Sequence, residues 1–430
     1  MRYRTKRAFR TVAVLVPLSF LPFAGFAQTK TNLVIQTTDI KAACASLRCL
    51  SYKNVGDPSG QIFKVSTPLN LPPSLYPILP GVAGAEADQT AQAMDAVYQG
   101  AVPNELYDST PVAYYGTMVR KGYLSQAAAG ILGITQAQST YNVRGAGVVV
   151  AIIDTGVDTT HPVLQSVLLP GYDFTRDQPG ADEKGDVLQS TTAVVDQSTT
   201  AVVDQSTTAV IDSWTAYLLN RPQYADFGHG TMVAGVVHLV APQAMILPLK
   251  AFSANGTGSL SDVLQAIYYA VNHGARVLNM SFSFPTSSVQ LSQALNWAEQ
   301  NGVISIAAAG NSGQQKLVYP AGYGSSVIGV ASTSDSDTLS PFSNYGPPLV
   351  WIGAPGEGVV TLYPYGTYAA TWGTSFSAPF VSGTAALLVN LKPCSQTQAA
   401  NAVSHAVNIG PRLGHGRLDL AAALQGWKGQ

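Results

Sequence analysis

Charge is what this sequence has least of. Only 11% of its 430 residues are Asp, Glu, Lys or Arg, against about a quarter in an average globular chain. The formal net charge is −1, and beyond the first ten residues there is no basic stripe to neutralise phosphates, which excludes a nucleic-acid partner. Cysteine is nearly as scarce. The three cysteines are Cys44, Cys49 and Cys394, too few for the disulfide framework of a small exported domain, although Cys44 and Cys49 could pair locally. Cys394 sits in a Lys-Pro-Cys-Ser loop with no His nearby in sequence, which argues against a catalytic thiol. Long apolar runs are missing as well. The stretch from Val12 to Phe26 is broken by Pro17 and Pro22 and is short for a membrane span of about 20 residues.

Apolar residues make up 46% of the chain, ample for a large buried core. The little charge present is unevenly spread. Arg2, Arg4, Lys6, Arg7 and Arg10 open the chain, whereas from Leu124 onward 11 Lys and Arg face 17 Asp and Glu, a balance of −6. A basic start, an apolar stretch and small residues around Gly25 and Ala27 form the three parts of a secretory signal, with cleavage after Ala27. The expected product is secreted, extracellular or periplasmic, with no membrane partner once the signal is gone.

Three zones follow residues 1–27. Residues 28–92 alternate apolar and polar groups and read as a small α/β or mostly-β unit; 93–123 are rich in Tyr, Pro and Ala and read as a linker or extension. From 124 to 430 apolar runs such as VVVAIID, AMILPLKAF, RVLNMSF, GVISIAAAG and SVIGVAS have the length and β-branching of buried strands. Helix-like stretches at 261–274 and 288–302 separate some of them, each closed by Gly. That alternation predicts an α/β fold of three layers, a mostly parallel sheet with helices on both faces. The octamer QSTTAVVD, repeated at 189–196 and 197–204 and followed by QSTTAVID at 205–212, is too short to stack as a solenoid. It is expected as an inserted surface loop or β-hairpin.

Three segments carry groups that make sense only together. Asp154 ends a buried strand in AIIDTGVDTTHP, His229 opens a helix-like run in DFGHGTMVAGVV, and Ser375 starts another in WGTSFSAPFVSG. Alone, each has a plain structural reading: a capping acid, a loop histidine, a helix N-cap. In the order Asp, His, Ser they supply an orienting carboxylate, a general base and a nucleophile. An α/β-hydrolase esterase would need G-x-S-x-G and the order Ser, Asp, His, which this chain lacks.

Residues 124–425 resemble the peptidase domain of the subtilisin family through AIIDTGVDTTHP, GHGTMVAGVV, VLNMSFS, AAAGNSG and GTSFSAPFVSG. The resemblance implies a subtilisin-like fold and a serine endopeptidase acting on polypeptides as a monomer. Asp154, His229 and Ser375 would be catalytic, with Asn311 the side-chain donor to the oxyanion. It also implies that substrate pairs with Ser253-Ala254-Asn255-Gly256 on one side and Ser281-Phe282-Ser283 on the other, with Ala309, Gly310 and Val318 lining the cleft. Ser283 and Val318 stand where relatives commonly have smaller residues, so the first specificity pocket should favour small or medium uncharged side chains. The stretch PGVAGAEADQTAQA resembles the end of the family's propeptide, which makes 28–92 an intramolecular inhibitor removed by autocleavage.

Two departures matter. Phe376 replaces the Met usual beside the nucleophile, which removes an oxidisable thioether. Val163 and the uninterrupted VVHLVAPQ remove the family's common calcium ligands, so no cofactor is expected unless Ca²⁺ binds at an unidentified site. Asp173, Asp177, Asp182, Glu183 and Asp186 cluster in one loop, but their spacing is not that of an EF-hand, and they read as a solvated acidic loop. The alternative to an enzyme is a catalytically silent binding or structural protein on the same fold.

Overall fold

The computed structural model describes residues 30–93, 101–187, 201–202, 210–211 and 222–429. The secretory signal at 1–27 and most of the octamer repeats lie outside them. Within the repeats, Ala201–Val202 pairs antiparallel with Val210–Ile211, a short hairpin ladder.

The N-terminal unit is a sheet with one helix. Strands β1 (Thr31–Gln36), β2 (Ser51–Asn54), β3 (Ile62–Thr67) and β4 (Gly84–Ala87) pair in the order β2-β3-β1-β4. Helix α1 (Ile40–Leu47) is capped by Asp39, whose carboxylate accepts from the amides of Lys41 and Ala42. Side chains alternate across a strand, and this sheet uses both faces. Leu33, Ile35 and Val65 pack with Ala43 and Leu47 into a small core of their own, whereas Val34 and Ile62 join a core of the following domain. Cys44 and Cys49 are disulfide-bonded, and Cys394 is a buried free thiol.

The described part of the stretch read as a linker or extension is built into the main domain. A hairpin of Pro111–Tyr114 and Thr117–Arg120 leads to the short helix Lys121–Ser125. Tyr123 is fully buried and its hydroxyl donates to the Gly235 carbonyl at 2.6 Å, while Tyr114 donates to that of Leu239 at 2.6 Å. Both carbonyls belong to α2 (His229–Val240), so this segment braces the helix that opens on His229.

The main sheet holds the apolar runs. In spatial order it contains Gln178–Pro179, Tyr172–Asp173, β7 (Met245–Lys250), β6 (Val149–Asp154), β9 (Val277–Met280), β11 (Ile304–Ala308), β12 (Ile328–Thr333) and β13 (Ile352–Pro355). Every neighbouring pair is parallel except Gln178–Pro179 with Tyr172–Asp173, which is antiparallel. Along β6, Val150 and Ile152 pack on the side of α2 and α5 (Thr374–Leu391), and Ala151 and Ile153 on the side of α3 (Leu260–Asn272) and α4 (Val289–Gln300). The result is a three-layer α/β domain with α2 and α5 together on one face. Gly383 of α5 is required there: a Cβ would stand 2.5 Å from that of Val240 at the end of α2. Among the described residues no helix is long and apolar enough to cross a membrane.

Candidate active site

The parallel strands deliver their last residues to one edge. Asp154 ends β6, directly beside Lys250 at the end of β7. Asp154 Oδ1 accepts from the amide of Thr155 at 2.7 Å and lies 2.7 Å from His229 Nδ1. Both side chains are buried. His229 can open α2 because Gly228 before it takes φ +90, a left-handed conformation that glycine adopts without strain. A Cβ on Gly230 would come within 1.9 Å of the Gly156 carbonyl, so helix and strand end meet backbone to backbone. Burial pushes the His229 pKa down, but the Asp154 carboxylate and its hydrogen bond, with Asp226 and Glu183 behind, raise it above its ordinary value. Nε2 is buried with no hydrogen-bond partner among the described residues.

Ser375 is the second residue of α5 and is buried. Its Oγ donates to the Ser281 carbonyl at 3.4 Å, and Ser281 Oγ donates to the Ser375 carbonyl at 2.9 Å. Phe376 packs on the imidazole of His229, with ring centroids 5.5 Å apart. Asn311 is tied to the same helix start: its Oδ1 accepts from Thr374 N at 3.0 Å and Thr374 Oγ1 at 2.8 Å. That fixes Nδ2 as the donor end of the amide. Gly310 N donates to Thr374 Oγ1 at 3.1 Å, and Ala309 N to Val330 O at 2.9 Å. The carboxylate, imidazole, hydroxyl and amide expected from the sequence therefore gather at one edge of the sheet.

Beside them a three-stranded sheet runs in the order β8 (Thr257–Ser259), β5 (Thr90–Ala93), β10 (Phe282–Ser283). Its central strand comes from the N-terminal unit. Phe282 pairs with Ala93 and Ser283 with Gln92, while Thr257, Gly258 and Ser259 pair with Gln92, Ala91 and Thr90. The extended stretch thus starts later than Ser253-Ala254-Asn255-Gly256. Those residues turn, because Asn255 Oδ1 accepts from Thr257 N at 3.0 Å and Gly256 takes φ +76. Of the four, Gly256 gives its carbonyl to Ala93 N at 2.8 Å and Asn255 gives its own to Gln92 Nε2 at 3.2 Å. Val318 is buried next to Tyr319, which bridges Phe284 antiparallel.

The acidic loop is solvated only in part: Asp177 is exposed, but other acids turn inward. Asp173 and Glu183 are 1% exposed. Arg176 pairs with Asp173 and Asp186, Lys250 with Asp186, Lys184 with Asp158, and Lys53 of the N-terminal unit with Asp177. These cations, scattered over more than a hundred residues, converge on the acids only once the chain folds. Val163 is part of the apolar core, and among the described residues no group of three or more His, Cys, Asp or Glu is arranged to hold a metal ion. Of the five acids, Asp173, Asp177 and Asp186 are each already paired with Lys or Arg.

Comparison with known proteins agrees with this geometry. The model of the subtilase family matches residues 145–408, more than half of the chain. The chain belongs to the subtilase family. It is a serine endopeptidase. Thermitase from Thermoactinomyces vulgaris is 32% identical over 316 residues, covering 70% of this chain and 98% of thermitase. Subtilisin Savinase from Lederbergia lenta is 32% identical over 65% of this chain and 90% of its own. Fervidolysin from Fervidobacterium pennivorans, a keratinolytic enzyme related to subtilisin, superposes with a TM-score of 0.67 at 21% identity, over 92% of this chain and 61% of its own. That likeness places the subtilase in the subtilisin-like fold.

Proposed function

We propose that this subtilase is exported as a precursor, silenced by its own N-terminal unit, and after autocleavage hydrolyses peptide bonds through an acyl-enzyme on Ser375. The observation that carries the chemistry is the 2.7 Å contact of Asp154 with His229 Nδ1, beside a helix start that holds both Ser375 and the Asn311 amide. Ser375 Oγ attacks the scissile carbonyl carbon and its proton passes to His229 Nε2. Asp154 fixes the imidazole tautomer and stabilises the imidazolium. The oxyanion of the tetrahedral intermediate receives the Ser375 N–H and Asn311 Nδ2–H, donors of a kind worth about 10²- to 10³-fold in rate. Collapse breaks the C–N bond, His229 returns the proton to the leaving amine, and water then releases the acid by the same route. A silent protein on this fold would have to lack one of these groups; Asp154, His229, Asn311 and Ser375 are all present.

The position of β5 supports self-inhibition. It occupies the place of an added substrate strand, with Ala91 and Ala93 buried and Gln92 exposed. Small side chains therefore suit the two inward positions, and Ser283 with Val318 would keep the first pocket small as well. Ala93 lies in the cleft and Val102 already packs on the main core, so the maturing cut falls between them. Export rests on residues 1–27.

The test is to express the full precursor and its Ser375→Ala form and follow both by gel and mass spectrometry. The wild type should mature to an N-terminus between residues 94 and 102, and the variant should stay whole. Removing the nucleophile should cost about 10⁶-fold in kcat, the scale known for subtilisin. Equal processing of both forms would refute autocleavage, and caseinolysis by Ser375→Ala would refute the nucleophile.

A further inference from the structure

The loop after Asp173 turns back across the end of β6. Val157 N donates to Ala181 O at 2.9 Å, Asp182 caps the following turn, and Glu183 drops inward to 1% exposure. Its neighbours are the residues on either side of the Asp154–His229 contact. Oε2 accepts from Thr155 Oγ1 at 3.1 Å and from Gly228 N at 3.0 Å, and Oε1 accepts from Thr231 Oγ1. Thr155 follows Asp154; Gly228 precedes His229 and Thr231 follows it by two.

The directions of these bonds are settled by what else the hydroxyls do. Thr155 Oγ1 already accepts from Gly230 N at 3.0 Å, and Thr231 Oγ1 from Asp158 N at 2.7 Å. Each hydroxyl proton therefore points at Glu183, and with Gly228 N–H the carboxyl faces three donors and returns none. The anion accepts from all three; the acid, favoured below a pKa that burial raises to about 8, would have to donate one of these contacts back. Burying an unpaired carboxylate is costly, and among the described residues no Lys, Arg or His forms an ion pair with this one. The ammonium of Lys250 lies on the far side of Thr155, donating to the Thr155 and Phe252 carbonyls at 2.8 and 2.6 Å and to Asp186 at 2.7 Å. The space is made by glycine: a Cβ on Gly156 would stand 2.6 Å from Ala181 O and 3.1 Å from Glu183 Cβ.

We infer that Glu183 is a positioning residue that clamps the end of β6 to the start of α2 and so holds His229 against Asp154 in register for proton transfer. It touches no substrate and acts only through Thr155, Gly228 and Thr231. The inference rests on the proposed roles of Asp154, His229 and Ser375. The groups facing it bear on the pH behaviour. Burial raises Glu183 to about 8, opposed by the Thr231 bond, the Lys250 charge and the Thr155 bond, and assisted by Asp158. Glu183 in turn helps to hold the His229 pKa up, behind Asp154 and Asp226. Protonating Glu183 removes an acceptor from one of its three donors, so activity should fall on the acid side through two linked groups rather than one.

The test compares matured wild type with Glu183→Gln, and with Thr155→Val and Thr231→Val, which each cut one arm of the clamp. Active sites are first counted with a fluorophosphonate that labels serine nucleophiles. If the wild type fails to label at Ser375, the catalytic reading falls; if it labels, only the clamp is in question. Per labelled site, Glu183→Gln should lower kcat about 10- to 100-fold, the scale of a small misplacement at a reacting centre, with KM changed less than about twofold. The acid limb of kcat/KM should move to lower pH and steepen less, since His229 loses a charge that raises it. The threonine variants should lower kcat in the same way, and combining either with Glu183→Gln should add little. Should Glu183→Gln fail to fold, the threonine variants carry the same test. Unchanged kcat and acid limb per labelled site, or a loss confined to KM, would overturn the clamp.

Discussion

The two folded parts of this chain bury their apolar residues in different ways. The peptidase domain closes both faces of its central sheet with its own helices, α2 and α5 on one side and α3 and α4 on the other. The N-terminal unit covers only one face of its sheet, with α1 over Leu33, Ile35 and Val65; the other face, through Val34 and Ile62, is completed by the peptidase domain. A unit of that size rarely has more than a few kcal/mol to spare. Its fold and its docking are therefore coupled, which would suit the proposed role of an inhibitor that holds the cleft and is later released.

The sharpest break of that comparison is a matched pair of core truncations in the uncleaved Ser375→Ala precursor. Ile35→Ala and Ile306→Ala each remove a fully buried side chain, at a cost of about 2–5 kcal/mol. Hydrogen exchange should show residues 30–93 losing protection throughout in Ile35→Ala while the peptidase sheet stays protected. Ile306→Ala should lower the melting temperature and leave both parts folded. A protected N-terminal unit in Ile35→Ala would mean that it is stable in its own right.

A smaller effect is expected where the two parts meet through helix ends. Asp88 accepts from Ser261 N at 2.8 Å and Ser261 Oγ at 2.9 Å, in the first turn of α3. Glu86 accepts from Ser288 Oγ at 2.8 Å and Gln290 N at 3.1 Å, at the start of α4. Each carboxylate meets the positive end of a helix. Asp88→Ala and Glu86→Ala should each weaken inhibition of the mature enzyme by the N-terminal unit, added as a separate chain, by about 1 kcal/mol, or several-fold. The ion pairs Lys64–Asp262 and Lys53–Asp177 are more exposed and should matter less. If removing Lys53 weakens inhibition more than removing Asp88, the helix-end account is wrong.

What the sequence disclosed follows the same division. The apolar runs at 148–154, 244–252, 276–282, 302–310 and 326–332 fall on β6, β7, β9, β11 and β12, because strands buried on both faces need continuous apolar residues. Asp154, His229 and Ser375 were legible because each sits at a junction of strand or helix with glycine, a pattern that survives in one dimension. The edge strand Ile352–Pro355 lies in the apolar stretch LVWIGAP, but its four residues include Gly353 and Pro355, which weaken the strand signal. Glu183 was visible only as one of several acids, since burial depends on which loops fold over it. Thr155, Thr231 and Thr374 look like ordinary motif residues, and their bonds to Glu183 and Asn311 link segments 28 to 63 positions apart.

The finest test of the coupling is its pH dependence. Burial raises the pKa of both Glu86 and Asp88 in the docked state. For Glu86 the bonds from Ser288 and Gln290 pull the other way; for Asp88 the Ser261 bonds and Lys64 do so, while Asp262 adds to the rise. In the released unit both carboxyls face water and return towards their ordinary values. A group whose pKa is higher docked than free takes up protons on docking. Its contribution is complete below the free value and is lost as pH rises through the docked one. Inhibition should therefore weaken modestly as pH rises from the ordinary carboxylate range through the raised docked values, and Glu86→Gln with Asp88→Asn should flatten that slope. An inhibition constant that tightens over this range would show that the helix-end bonds outweigh burial, and that docking favours the ionised pair.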